Sequence, residues 1–492
     1  MIDFMKCCSF LNQDSDESTY VKEENKKSIF VKLQSLSKKY KVSISLALIV
    51  LLIVSVFAFL PREGNTTEPT DEKPPSIDGT PQPTNTPPPT NNPTVNPTVS
   101  PTIEDPDDGT SITPKAPGLF ESAKVIDSAL WQKVAEKAWN YYKPGVGVDK
   151  NTGLPWTSTV VPYFTDWDLG VYIQALIDAS KLGLIGKDRE WGFNDRVVKV
   201  LTFLETRELN NASYPFWFYH ASDGEVWTEK SDVADFYVDV ADTGRLLVAL
   251  DNLRKYSSAF SSRINNFVYN TYNNRSDYSI LVPTLKTECE TSTNIYTYYI
   301  VSGFAAFWSS ELSGAASKVI RNMYSAGNVT TYGVTLPKGK ITSDILLCCL
   351  FELNNVDPIL KDLTYQVYTA HESYCNTTYS HRAFGEGPTF TTDWQWEWVV
   401  LPDGQTWVVH NGSNEIVSDF PMVYFKVGIG FLSVYNTQFA RGLVCHIERF
   451  LPDFANGFCE GIDEGNYPLT LVGSLTNGLI LGSALFFIKN NP

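Results

Sequence analysis

The sequence predicts an all-α globular domain, an (α/α)6 toroid with small β-hairpin insertions, preceded by a single transmembrane helix and a disordered stalk. Three observations predict it. About twelve segments between residues 119 and 492 carry apolar residues at helical spacing, residues 42–60 are uncharged and apolar, and residues 61–118 are dense in proline.

The first segment, 1–41, reads as a cytoplasmic tail with a basic flank of Lys22, Lys26, Lys27, Lys32, Lys38, Lys39 and Lys41. At 1.5 Å per residue the run from Val42 to Leu60 covers about 28 Å, close to the thickness of a bilayer's hydrocarbon core. The lysines on its N-terminal side place that end in the cytoplasm and everything after Pro61 outside the cell membrane. A cleavable signal peptide is the competing reading. Its core would be shorter, nearer the start and followed by a small-residue cleavage site, whereas this run closes on Phe57-Ala58-Phe59-Leu60-Pro61. Residues 61–118 hold fifteen of the chain's 28 prolines, interleaved with Thr and Asn. Such backbone stays extended and solvated, a stalk of roughly 100–180 Å that holds the domain away from the lipid.

Beyond the stalk the helical stretches fall at 125–142, 166–184, 191–208, 233–256, 260–272, 290–310, 313–325, 341–354, 356–372, 417–434, 436–450 and 469–488. The second shows the reasoning: Leu169, Tyr172, Ile173, Leu176, Ile177 and Leu182 recur with helical period, and Gly183 ends the run. Non-helical excursions separate them at 212–229, 276–287, 378–411 and 452–467. In the third, Trp394, Trp396 and Trp398 alternate with Gln395 and Glu397. The turn Pro402-Asp403-Gly404 then leads to Thr406-Trp407-Val408-Val409, the pattern of a hairpin. Twelve helices make six helical hairpins, the count a toroid requires; an irregular helical domain has the same count. Leu469–Ile488 is uncharged for long enough to resemble a second membrane span. Its Thr470, Gly473, Ser474, Thr476, Asn477, Gly478, Gly482 and Ser483 suit a buried inner helix better.

Composition excludes some partners. A net charge of −16 argues against nucleic acid, whose phosphates demand a basic surface. Aromatics at 13% suit stacking on sugars and a large core equally well. Cys7 and Cys8 fall on the cytoplasmic side, as thiols or lipid carriers. Cys289, Cys348, Cys349, Cys375, Cys445 and Cys459 are an even set outside, with no connectivity legible. No Cys/His spacing resembles a zinc site, so neither metal nor cofactor is expected. Glycosylation sequons at Asn65, Asn211, Asn274, Asn328, Asn376 and Asn411 are compatible with this topology.

The segment Thr165-Asp166-Trp167-Asp168-Leu169-Gly170-x-Tyr172, running on to Leu182-Gly183-Leu184-Ile185, resembles the opening signature of the domain of unknown function 3131 family of envelope proteins. That family is itself similar to glucoamylase-like toroids that act on β-1,2-glucans. Further matches follow in order: Phe216-Trp217-Phe218-Tyr219, Ala241-Asp242-Thr243-Gly244-Arg245-Leu246-Leu247, Gly385-Glu386-Gly387, and Gly457-Phe458-Cys459-Glu460-Gly461 with Thr476-Asn477. The resemblance spans roughly residues 155–488 and implies a glycan-active toroid. Two departures fall in the expected cleft wall: Thr392-Asp393-Trp394-Gln395-Trp396 replaces a proline-aromatic stretch, and Cys459 stands where an aromatic is usual.

Glycoside cleavage needs two carboxyl groups astride the scissile bond. Glu386 is the first candidate, because flanking glycines let a loop project its carboxylate; a glutamate in an exposed turn is the alternative. Glu460, between Gly457 and Gly461, is the second, against an ordinary loop acid. Asp242 shares a helix face with Val238, Leu246, Ala249 and Leu253, so it is expected on the buried stripe, as part of the site or paired with Arg245. Asp168 follows Thr165 by three residues, a capping-box spacing, or it reaches sugar hydroxyls at the cleft rim. Trp167, Trp217, Trp394 and Trp396 are expected to stack on pyranose faces or to pack in the core. Tyr219, Arg245, Asp393 and Asn477 complete the expected substrate contacts. A membrane-anchored glycan hydrolase or transglycosidase of the cell envelope is the reading these residues favour; a non-catalytic glycan-binding scaffold is the alternative.

Overall fold

The computed structural model describes residues 117–227, 238–270, 276–354, 356–390, 394–417 and 421–491. The predicted tail, membrane helix and nearly all of the stalk lie outside them. Among the described residues no helix is long and apolar enough to cross a membrane.

After a single helical turn at Leu119–Ser122, thirteen helices follow among the described residues. They are α1 Ser128–Tyr141, α2 Asp166–Lys181, α3 Phe193–Thr206, α4 Val240–Tyr256, α5 Ser261–Val268, α6 Val282–Cys289 and α7 Ile295–Ala305. The series continues with α8 Ala315–Ser325, α9 Ser343–Glu352, α10 Pro358–Thr378, α11 Phe425–Tyr435, α12 Gln438–Phe450 and α13 Ser474–Asn490. Their packing closes a ring: α2 lies on α4, α4 on α7, α7 on α9, α9 on α11, α11 on α13, and α13 returns to α2. A second layer surrounds it, with α1 on α13, α3 on α2, α5 on α4, α8 on α7, α10 on α9 and α12 on α11.

The sequence encodes the two layers differently. Outer α12 buries Ala440, Leu443, Val444 and Ile447, one stripe at helical spacing, and leaves its other face polar. Inner α7 buries nine of its eleven residues because it has neighbours on both sides of the ring and in the outer layer. Close approach of α4 and α7 depends on Gly303, where a Cβ would stand 2.2 Å from the Gly244 carbonyl oxygen. The apolar run at Leu469–Ile488, expected to be helical throughout, becomes α13 only from Ser474, Leu469 ending a strand; Ser474, Thr476, Asn477 and Ser483 are buried among neighbouring helices.

Three predicted spans need correction. The excursion at 276–287 contains a 3-10 turn, Tyr278–Leu281, followed by α6. Pro283 sits in the first turn of α6, where its missing N–H costs nothing, and Val282, Leu285 and Cys289 are buried. The helix expected from residue 417 starts only at Phe425, because Met422–Tyr424 form strand β8. The helix expected from 233 is described from Val240, capped by Asp239, whose carboxylate accepts from the Ala241 and Asp242 N–H groups.

The strands are short and antiparallel: β1 Tyr163–Phe164 with β2 Tyr219–His220, β3 Asn328–Thr331 with β4 Val334–Pro337, and two three-stranded sheets. One joins β5 Glu386–Gly387, β6 Gln395–Val400 and β7 Thr406–Asn411, placing the predicted tryptophan hairpin. The other places β9 Gly461–Asp463 between β10 Pro468–Leu469 and β8, in the order β10–β9–β8. No disulfide joins the six described cysteines.

Candidate active site

The N-terminal ends of inner helices α2, α4, α7 and α13, together with β5 and β6, line a cavity of about 320 Å³. Unsatisfied N–H groups make helix N-termini hospitable to anions. Five carboxyl groups gather there: Asp168, Asp239, Asp242, Glu386 and Glu460. No lysine, arginine or histidine is among the described lining residues.

Asp168 caps α2 and also borders the cavity. Its Oδ2 accepts from the Thr165 N–H at 3.2 Å, completing the capping box of α2, and from the Thr157 hydroxyl at 2.8 Å, while the side chain borders the cavity. Burial, opposed by those bonds, pushes its carboxyl up to about 6. Asp242 opens on the cavity beside Asp239, and desolvation, then the Asp239 charge, holds it well above the usual carboxylate range.

Glu386 is buried in β5 opposite Trp396, where a loop was expected. Its N–H donates to Asp344 Oδ2 at 2.9 Å and its carbonyl accepts from Lys426 Nζ at 2.5 Å. The Trp394 indole N–H points at its Oε2 from 3.5 Å. Desolvation, and then the Asp344 charge, raises Glu386 to about 7. Glu460 lies immediately before β9. Its Oε2 accepts from the Thr476 hydroxyl of α13, and burial raises its carboxyl too. Gly473 makes room for it: a Cβ there would stand 2.3 Å from Glu460 Oε1.

Aromatic rings complete the walls. Trp167, Trp217, Trp394 and Trp396 all border the cavity, with Tyr296, Phe218 and Trp227. Tyr296, Trp227 and Asp239 carry no signal of this in the sequence: Asp239 reads as a simple helix cap and the two rings have no distinguishing spacing, whereas Phe218 lies in the aromatic motif 216–219 without being singled out as a contact.

Three predicted contact residues face elsewhere. Tyr219 is fully buried, donating its hydroxyl to the Glu208 carbonyl and accepting from the Phe216 N–H, so it braces the aromatic loop from behind. Asn477 is likewise buried, bonded to the Phe458 and Gly473 backbones, and shapes the Glu460 loop without reaching the cavity. Arg245 pairs with Glu352 of α9 at 2.7 Å instead of Asp242, because its side chain turns toward the interior of the ring beneath Trp167. Asp393 lies outside the described residues. Among the described residues no cluster of three His, Cys, Asp or Glu side chains could hold a metal.

The raised carboxyls have a consequence for stability. A group whose folded pKa exceeds its unfolded value of about 4 binds protons more tightly when folded. Its contribution is complete below pH of about 4 and is lost as pH rises through the folded value. Glu386→Gln removes this one contribution, so between pH 4 and 7.5 the thermal midpoint of the variant is expected to gain on that of the parent as pH rises in a calorimetric series.

The model of the family described as protein of unknown function (DUF3131) matches residues 133–490. No curated protein matches the sequence. Among solved structures, a provisionally named glucoamylase from Bacteroides caccae ATCC 43185 is similar over 74% of this chain and 94% of its own, at 13% identity and a TM-score of 0.52. The endo-β-1,2-glucanase of Chitinophaga pinensis, in complex with sophorotriose and glucose, gives 74% and 94% coverage, 13% identity and 0.50. That of Talaromyces funiculosus, in complex with sophorose, gives 74% and 85%, 10% identity and 0.50. At these identities the likeness is one of fold.

Proposed function

Because the chain belongs to the DUF3131 family of proteins of unknown function, with a toroid resembling glucanases, we propose that its cavity cleaves or transfers glycosidic bonds. The observation that carries this reading is that Glu386 and Glu460, from separate segments, border one aromatic-walled cavity. Both are buried, so one can be protonated near neutral pH while the other serves as base or nucleophile. Asp168 and Asp242 support them by holding sugar hydroxyls.

The substrate is a glycan without anionic groups. With five carboxyls and no cation among the described lining residues, a uronate, phosphate or sulfate entering the cavity would meet repulsion and no counter-charge. β-1,2-Glucan is the first candidate, since the Chitinophaga and Talaromyces enzymes hold its oligosaccharides. We place the domain outside the cell, tethered through the 61–118 stalk to the apolar run at 42–60, acting on envelope polysaccharide. Protease accessibility on intact cells tests that placement.

The decisive experiment is incubation with a panel of neutral and anionic glycans, followed by product analysis. Shortened or rearranged neutral chains support the reading; tight binding with no product would favour a glycan-binding scaffold instead. On a cleaved glycan, Trp394→Ala and Trp396→Ala are each expected to raise KM by about tenfold, the effect of losing roughly 1.4 kcal/mol of stacking.

A further inference from the structure

We propose that the buried pair Lys426–Asp344 positions the candidate acids, gripping the Glu386 peptide on both sides and setting one positive charge behind Glu386 and Glu460 together. The inference rests on the active-site reading above. Neither residue borders the cavity, so neither is a catalytic residue.

The geometry is specific. Lys426, in the first turn of α11, is fully buried, and its Nζ lies 3.2 Å from Asp344 Oδ2 at the start of α9. The same Nζ donates to the Glu386 carbonyl at 2.5 Å, and the same Asp344 oxygen accepts the Glu386 N–H at 2.9 Å. Glu386 is thus held by its peptide on either side, independently of its own side chain. One residue earlier, the Phe425 N–H donates to the Glu460 carbonyl at 2.8 Å, and Tyr424 pairs with Gly461. The segment 424–426 therefore fixes both acids to one short stretch of backbone and sets their separation.

A buried ion pair needs a reason, since apolar residues of like volume are commonly as stable. The charges around Lys426 supply one. Asp344 faces it from α9, Glu386 from β5 and Glu460 from the loop before β9, with the Tyr424 ring at 5.1 Å on its own strand end. Lys426 stabilises the ionised form of both glutamates, whereas Asp344 opposes ionisation of Glu386 alone. The pair therefore acts unequally on the two acids, which is what an acid and a base at one bond require.

The test is a carboxyl titration of the full chain, by NMR of 13C-labelled glutamate side chains, with signals assigned using Glu386→Gln and Glu460→Gln. Lys426→Met is expected to move both midpoints up by about one pH unit. In Lys426→Met/Asp344→Asn, Glu460 should still rise, whereas Glu386, losing attraction and repulsion together, should stay near its original midpoint. The double variant leaves no lone buried charge, so it supplies the reading where the single variant fails to fold. Midpoints that do not move overturn the proposal. The titration needs no substrate and decides the role of the pair even where no glycan is turned over. Conversely, turnover lost in Glu386→Gln with unmoved midpoints in the Lys426 variants keeps the active-site reading and removes this one.

Discussion

Glu386→Gln is expected to lower turnover of the cleaved glycan by about a thousandfold, the middle of the range for loss of a positioned acid or base. The residue's backbone is held by Asp344 and Lys426 and by pairing with Trp396, so the amide should occupy the carboxyl's place. Glutamine keeps an acceptor for the Trp394 indole but has no proton to give or take near pH 7. The substitution also removes the repulsion between Glu386 and Asp344, so the variant should melt higher than the parent at pH 8. Lost activity with gained stability separates a chemical role from a structural one. In the parent, activity should decline above pH of about 7 if Glu386 is the protonated partner, and below it if it is the base. Unchanged turnover in the glutamine variant would remove Glu386 from the chemistry.

How far the sequence reveals this molecule depends on whether a feature is local. Helical period along Leu169–Leu182 and the alternation of Trp394 to Trp398 are local, and each places its element. The start of α11 is not legible that way, because Met422–Tyr424 is a short apolar run that suits strand or helix; pairing with β9 decides it. The same limit governs the site. Glu386, Glu460, Asp168 and Asp242 are recognisable as acids beside glycines or helix starts, but only the closing of the ring brings them to one cavity. Tyr219 and Asn477 occupy motif positions, yet their partners are backbone atoms that no spacing announces. Lys426 did leave a signal: it is the one charged residue in the apolar stretch Phe425–Tyr435, and a charge there must have a buried partner.

Arg245→Met is expected to destabilise the domain by about 3–5 kcal/mol, the cost of leaving a buried charge without its counterpart. Arg245 of α4 reaches through the ring to Glu352 of α9, and the Tyr299 hydroxyl of α7 donates to the other Glu352 oxygen. Its guanidinium also lies 5.1 Å from the ring centre of Trp167, on α2. One cluster thus ties four of the six inner helices together directly beneath a wall of the cavity. Methionine fills much of the volume but strands Glu352 in a site built for a cation. Adding Glu352→Gln should recover most of the loss, because the neutral amide still accepts from Tyr299 and no lone charge remains. Denaturant midpoints of the single and double variants measure this. If Arg245→Met alone is as stable as the parent, the ring does not depend on that ion pair. The Trp167 stack then becomes the remaining reason for an arginine there, and a change confined to KM would be its mark.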